Sequence, residues 1–507
     1  MAMLALGMSR TPRTATAQPS QAPASVPVTV PAFVDHHVHL FNVGWWLLQS
    51  RRAAPEYVAA GGASSEAAVV ERVRVAASRP LRDGWITGFG WNQESWSSRA
   101  MPTLDAISDA ARTVPVALAR TDGHALWVNR AALALAGLSN DTNGVLLERA
   151  VEPVVAHIPA PPDSDVVAAW RLGATAMAER GVLRVYDAGV LALPGVAALN
   201  TDFAHYTRLL ASADRAAALP ISINLMIPAP SAYADEVLAM SRAARQLSPN
   251  VRITHLKLFA DGAFGSRGAA LSHAYADDPH THGILRMTSA EIARWTRRAL
   301  DAGLDVATHA IGDRAVANAL DAYESVLRER PNTVRGRLRI EHFSYASERD
   351  LARAVRLGIA LSIQSNFNSP MGVSPTFAEQ RIGAAGAPRV YAWDRLDRMG
   401  ALLLEGSDYF GEPGAPLAGM HAGLTGINAI GARGDTPAVR RRLLDLTARW
   451  LSPGGRIESS ARRATLDSIV LSSDPLTIAR DSLPGVRVIA VRRRTAPPAG
   501  GAGTARR

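Results

Sequence analysis

Short apolar runs alternate along the chain with stretches of helical periodicity, and that alternation predicts the architecture. Eight runs lie near Ala32 to Val38, Val182 to Asp187, Ile221 to Ile227, Ile253 to Phe259, Leu304 to Thr308, Leu338 to Glu341, Ile359 to Gln364 and Ala401 to Glu405. Their apolar character is continuous, as expected of strands buried on both faces of a parallel sheet. Helical patterns such as Ser289 to Ala302, Arg314 to Arg328 and Glu348 to Leu357 fall between them. The economical reading is an α/β fold, a (β/α)8 TIM-like barrel. The long gap between the first two runs is then an insertion, residues 41–180, inside a barrel domain spanning 31–430.

The ends of the chain differ from this pattern. Residues 1–30 are rich in Ala, Pro, Ser and Thr and read as a flexible leader, and 495–507 as a disordered tail. Residues 431–494 hold a helix and two runs, Ser468 to Leu471 and Val486 to Val491, that read as strands of a small β-sandwich-type domain. No uncharged apolar run is long enough to span a membrane. A cytoplasmic location is expected; export stays open, because Ala15-Thr16-Ala17 before Gln18 resembles a signal-peptidase site.

Composition narrows the chemistry. Apolar residues make up 48% and charged residues 20% of the 507, which fits a globular chain. There is no cysteine, so disulfides, thiolate nucleophiles and Cys-ligated metals are excluded. The net charge of +10 comes from arginines scattered along the chain, which reads as solvated surface and not as a nucleic-acid or membrane face. The expected partner is a small-molecule substrate, with a homo-oligomeric state left open. Tryptophan concentrates in the insertion, at Trp45, Trp46, Trp85, Trp91, Trp96, Trp127 and Trp170. Most are expected to pack a core, and Trp91 is a candidate substrate contact.

The first run ends in Asp35-His36-His37-Val38-His39, where strand alternation puts Asp35, His37 and His39 on one face. Two imidazoles at i and i+2 on the open end of a barrel strand can grip a cation. His309, His342 and Asp408 close three further runs, and Lys257 lies on the fourth. Of the 55 basic residues only Lys257 is lysine. A lysine among metal-ligand types is repelled by cations unless it is neutral and has taken up carbon dioxide as a carbamate, which arginine cannot do.

With its ligands in that order, the chain resembles the amidohydrolase superfamily, and within it amidohydrolase family 3, which includes N-substituted formamide deformylase-like enzymes. The resemblance runs from about Ala32 to Ser473. It is carried also by Gly90-Trp91-Asn92, Asp122-Gly123-His124-Ala125-Leu126-Trp127-Val128-Asn129, Lys257-Leu258-Phe259-Ala260-Asp261-Gly262, His309-Ala310-Ile311-Gly312-Asp313, Glu341-His342 and Gly406-Ser407-Asp408. It implies that His37, His39 and Asp408 hold one divalent ion, that His309 and His342 hold a second, and that carboxylated Lys257 bridges them. Zinc is the default metal, with iron, manganese or nickel allowed. The expected activity is hydrolysis of a non-peptide C–N bond in an amide, N-substituted formamide or cyclic amide, with Asp408 as the proton-transfer group. The rivals are a deaminase or esterase on the same scaffold, and a catalytically inactive binding protein. The β-segment before His37 is shorter than the family's, and Arg463-Ala464-Thr465-Leu466-Asp467 stands where the family has a Gly-Lys-x-Ala-Asp signature. His124 and Arg267 are further candidate substrate contacts, with a loop salt bridge the alternative for Arg267. His255 is expected one layer below the ligands, and Asp313 as a helix cap.

Overall fold

The computed structural model describes residues 26–191, 194, 202–368, 375–409, 416–425, 434–449, 451–452, 456–457 and 467–493. Most of the expected leader, 1–25, and the expected tail, 495–507, lie outside them, as do Arg463 to Leu466. Each of the eight expected runs forms a strand. They are β1 (Phe33–Val38), β2 (Val182–Asp187), β3 (Ser222–Pro228), β4 (Val251–Phe259), β5 (Asp305–Ala310), β6 (Leu338–His342), β7 (Ala360–Ile363) and β8 (Leu402–Glu405). Neighbours from β1 to β8 pair in chain order, all in parallel.

The ring is drawn closed by the turn beyond β8. Asp408 N–H donates to His37 O (2.6 Å), His39 N–H to Tyr409 O (2.9 Å), and Ser407 N–H to the Asp35 carboxylate (2.9 Å). Gly406 permits this approach, since a Cβ there would lie 2.7 Å from the His37 backbone nitrogen. The outer helices carry local start signals. In helix Ser289–Asp301 the Thr288 hydroxyl accepts from the Glu291 N–H and the Glu291 carboxylate accepts from the Thr288 N–H, a capping box. Asp313 does not cap its helix. Gly312 holds that position, and the Asp313 carboxylate instead accepts from Ser272 N–H and Oγ–H.

Between β1 and β2 the chain builds a lobe around a five-stranded sheet. Its strands, in order, are Tyr57–Ala59, Ile86–Trp91, Val116–Arg120, Ala125–Val128 and Val145–Leu147. The lobe has its own core, including Val69, Ile86, Trp91, Ile107, Leu118 and Trp127. Helices Leu40–Arg52 and Asp163–Glu179 lead out and back, touching backbone to backbone at Gly44, where an added Cβ would lie 1.7 Å from Ala169 O.

The flexible leader expected over residues 1–30 requires correction at its end. Val28–Pro31 is a strand that pairs antiparallel with Ser468–Leu471, which pairs in turn with Val488–Arg492. Val30, opposite Ile469, is buried. Three β-branched residues are too few to show a period, and the strand that orders them lies at the other end of the chain.

Candidate active site

The expected ligands meet at the C-terminal ends of the barrel strands, and each imidazole is held by one ring nitrogen. His37 Nδ1 lies 2.5 Å from Glu341 Oε2, His39 Nδ1 2.7 Å from Gly189 O, and His342 Nδ1 2.9 Å from Gln364 Oε1. An ionised carboxylate and a carbonyl oxygen only accept, so Nδ1 carries the proton in His37 and His39, and each Nε2 keeps a lone pair for a metal. The Nε2 atoms of His37 and His39 converge on Asp408 Oδ1 at 3.4 and 3.3 Å. His309 is turned the other way. Its Nε2 faces Gly262 O (3.2 Å) and Asp261 Oδ1 (3.4 Å), and its ring lies 4.6 Å from that of His342.

Electrostatics agree with a donor set. Burial pushes His342 down to about 3, aided by His309, and burial with the neighbouring Lys257 pushes His37 well below its ordinary range. Burial thus opposes the imidazolium form of both rings. Burial alone would raise the Asp408 carboxyl, but His37, His39 and His342 hold it far below the usual carboxylate range. Lys257 is buried with Nζ 3.3 Å from His37 Nε2, and burial pushes its amine down to about 8. Ligand atoms of His37, His39 and Asp408 all lie within 4.8 Å of one another, a spacing that fits one cation. Lys257 lies beside His37, and the His309 ring against that of His342.

Two candidates from the sequence lie elsewhere. Trp91 is not a substrate contact. It is fully buried in the lobe core, donates Nε1–H to Leu118 O (2.8 Å), and packs against Trp96 and Trp127. Arg267 forms the loop salt bridge, with Nη2 2.8 Å from Asp277 Oδ2. His255 sits below Lys257, with Nδ1 2.8 Å from the Thr254 hydroxyl and its ring against Tyr186. His124 does reach the mouth of the barrel, with its ring 5.3 Å from that of His309.

Sequence reasoning left several supporting residues without roles. Arg339, wholly buried, pairs with Glu341 at 2.9 Å and so backs the carboxylate that orients His37. Asp261 accepts backbone N–H groups of Ala270, Ile311 and Gly312, tying the loop after β4 to the end of β5. Glu148, on the inserted lobe, bonds His124. The pairing of Glu341 with His342 in one motif was the available signal for the first; Glu148 had none.

A barrel whose strand ends gather four imidazoles, a carboxylate and one buried lysine is the framework of a metal-using hydrolase. The pattern of the amidohydrolase family matches residues 27–452, and the chain belongs to that family, so it is a hydrolase. It is similar to YtcJ of Bacillus subtilis (strain 168), 28% identical over 406 residues, covering 78% of this chain and 73% of that one. It is also similar to the N-substituted formamide deformylase of Arthrobacter pascens, 26% identical over 351 residues, covering 66% and 62% of the two chains. Among solved structures, an uncharacterized metal-dependent hydrolase from Pyrococcus horikoshii OT3 superposes with a TM-score of 0.61 at 25% identity, covering 89% of this chain and 87% of that one. No helix among the described residues is long and apolar enough to cross a membrane.

Proposed function

We propose that the protein hydrolyses a non-peptide C–N bond of a small molecule, an amide, N-substituted formamide or cyclic amide, using two divalent metal ions, with zinc the default. His37, His39 and Asp408 would hold one ion, His309 and His342 the other, and Lys257, as its carbamate, would lie between. The observation that carries this reading is the placement of the only lysine in the sequence, buried and 3.3 Å from a ligand imidazole. A neutral Nζ attacks carbon dioxide with its lone pair and releases one proton, leaving a carboxylate in place of a repelled cation.

The bound ions would supply an acidified water, its pKa lowered from 15.7 toward about 7, and polarisation of the scissile carbonyl. Asp408 is a carboxylate at neutral pH and lies against both His37 and His39. It takes a proton from the attacking water and returns it to the departing nitrogen, which leaves as an amine and not as an amide anion. Glu341, backed by Arg339, and Gly189 O keep the imidazoles of His37 and His39 in the tautomer that binds metal. The test is a hydrolysis screen of N-substituted formamides, N-acyl amines, cyclic amides and matched esters with metal-reconstituted protein. Turnover confined to the esters refutes the C–N reading.

A further inference from the structure

We infer that the inserted lobe completes the active site: His124 contacts the substrate through Nε2, and Glu148 is the positioning residue that holds the ring there. This rests on the barrel mouth being the reaction centre proposed above. His124 leads into lobe strand Ala125–Val128, and its side chain is 14% exposed whereas those of His37 and His309 are 0% and 3%. It is thus the more accessible imidazole beside the ligand histidines. Its Nδ1 lies 3.0 Å from Glu148 Oε1, and Glu148 Oε2 accepts from Arg286 Nη1–H at 3.0 Å. An ionised carboxylate only accepts, so Nδ1 carries the proton. Nε2 is the ring's remaining hydrogen-bonding atom, and no described residue is bonded to it.

Three further observations indicate that this carboxylate is built in. Glu148 has φ +51, a left-handed conformation that a non-glycine residue adopts only when its surroundings impose it. A Cβ at Gly262 would lie 2.0 Å from Glu148 Oε1, and one at Gly268 2.7 Å, so the loop after β4 has room for the carboxylate only because both residues lack side chains. Gly262 also offers the carbonyl that faces His309 Nε2. One loop therefore receives Glu148 from the lobe and orients a ligand histidine of the barrel, which fixes His124 relative to His309.

The test compares His124→Phe, Glu148→Ala, Glu148→Gln and the His124→Phe/Glu148→Ala double variant as full-length, metal-loaded protein, on a substrate found by the screen. His124→Phe should lower kcat/KM about 10- to 100-fold, the worth of one substrate hydrogen bond, with metal content and Tm unchanged. Glu148→Ala should cost a similar factor, and Glu148→Gln less, because its amide oxygen still accepts from Nδ1–H. The double variant should be no slower than His124→Phe alone. A Glu148→Ala penalty that persists in the His124→Phe background means that Glu148 only pins the lobe, and overturns the inference, as does an unchanged kcat/KM in His124→Phe. If Glu148→Ala does not fold, Glu148→Gln in both backgrounds gives the same comparison. If the screen finds no substrate, the proposed function fails separately, and ¹⁵N NMR of the metal-loaded protein decides the dyad. The His124 ring should show protonated Nδ1 in wild type; an unprotonated Nδ1 overturns the inference.

Discussion

Replacing Lys257 by arginine looks like the mildest change this chain could accept, because every other basic position is already arginine. At this site the opposite is expected. Lys257 is buried, and its Nζ lies 3.3 Å from His37 Nε2, so a guanidinium has no route to solvent and stays among the ligand atoms. Two unit charges about 4 Å apart interact by about 4 kcal/mol at an effective dielectric of about 20, so a guanidinium facing a dication is disfavoured by roughly 8 kcal/mol. Halving that for relaxation leaves about 4 kcal/mol, or roughly a 10³-fold loss of metal affinity. Losing the bridging anion adds to this. The assay is elemental analysis of metal per chain after reconstitution with bicarbonate and divalent metal, with circular dichroism to confirm folding. Lys257→Arg should fold and bind metal poorly, while Lys257→Ala regains metal and some activity when short carboxylic acids are added. The wild-type chain should carry about 44 Da of acid-labile mass as the carbamate in native mass spectrometry. An active, metal-replete Lys257→Arg protein would refute the carbamate and the place given to this lysine.

Wild-type protein purified without chelator should hold about two divalent ions per chain, since the proposed donors exceed the four a tetrahedral centre uses; at most one ion after reconstitution removes the binuclear site. Asp408→Asn should slow turnover at least roughly 10²-fold, in the range of general acid–base catalysis. Metal content is measured in parallel, and a near-wild-type rate takes the proton-transfer role from Asp408. Gly44→Ala gains about 1 kcal/mol of helix propensity but sets a methyl 1.7 Å from the Ala169 carbonyl oxygen. Because both partners are backbone, overpacking of about 1–3 kcal/mol or more should win. Thermal unfolding should show a lower Tm, and an unchanged or higher one means that the two helices separate without cost.

What could be read from the sequence, and what could not, divides along a physical line. The eight barrel strands were legible because burial on both faces makes each a continuous apolar run, and His37, His39, Lys257 and His309 were legible because each sits on or at the end of such a run. The lobe's sheet was not, because strands as short as Tyr57–Ala59 and Val145–Leu147 carry no period. Alternation also fails at the site itself. On a regular strand Glu341 and His342 would face opposite ways, yet Glu341 orients His37 while the His342 ring lies 4.9 Å from the His37 ring. His342 at φ +73 and Phe343 at φ +45 break the strand there, and Asp408 at φ +52 turns β8 back toward β1. Together with Glu148, these are four of the eight non-glycine residues with positive φ among those described. Such conformations cost about 1–3 kcal/mol each and persist only where the surroundings impose them. Their concentration around one barrel mouth marks the same site as the ligands do, by a signal that hydrophobic periodicity cannot carry. It also separates Glu148, a lobe residue with no motif of its own, from the many surface glutamates it resembles in sequence.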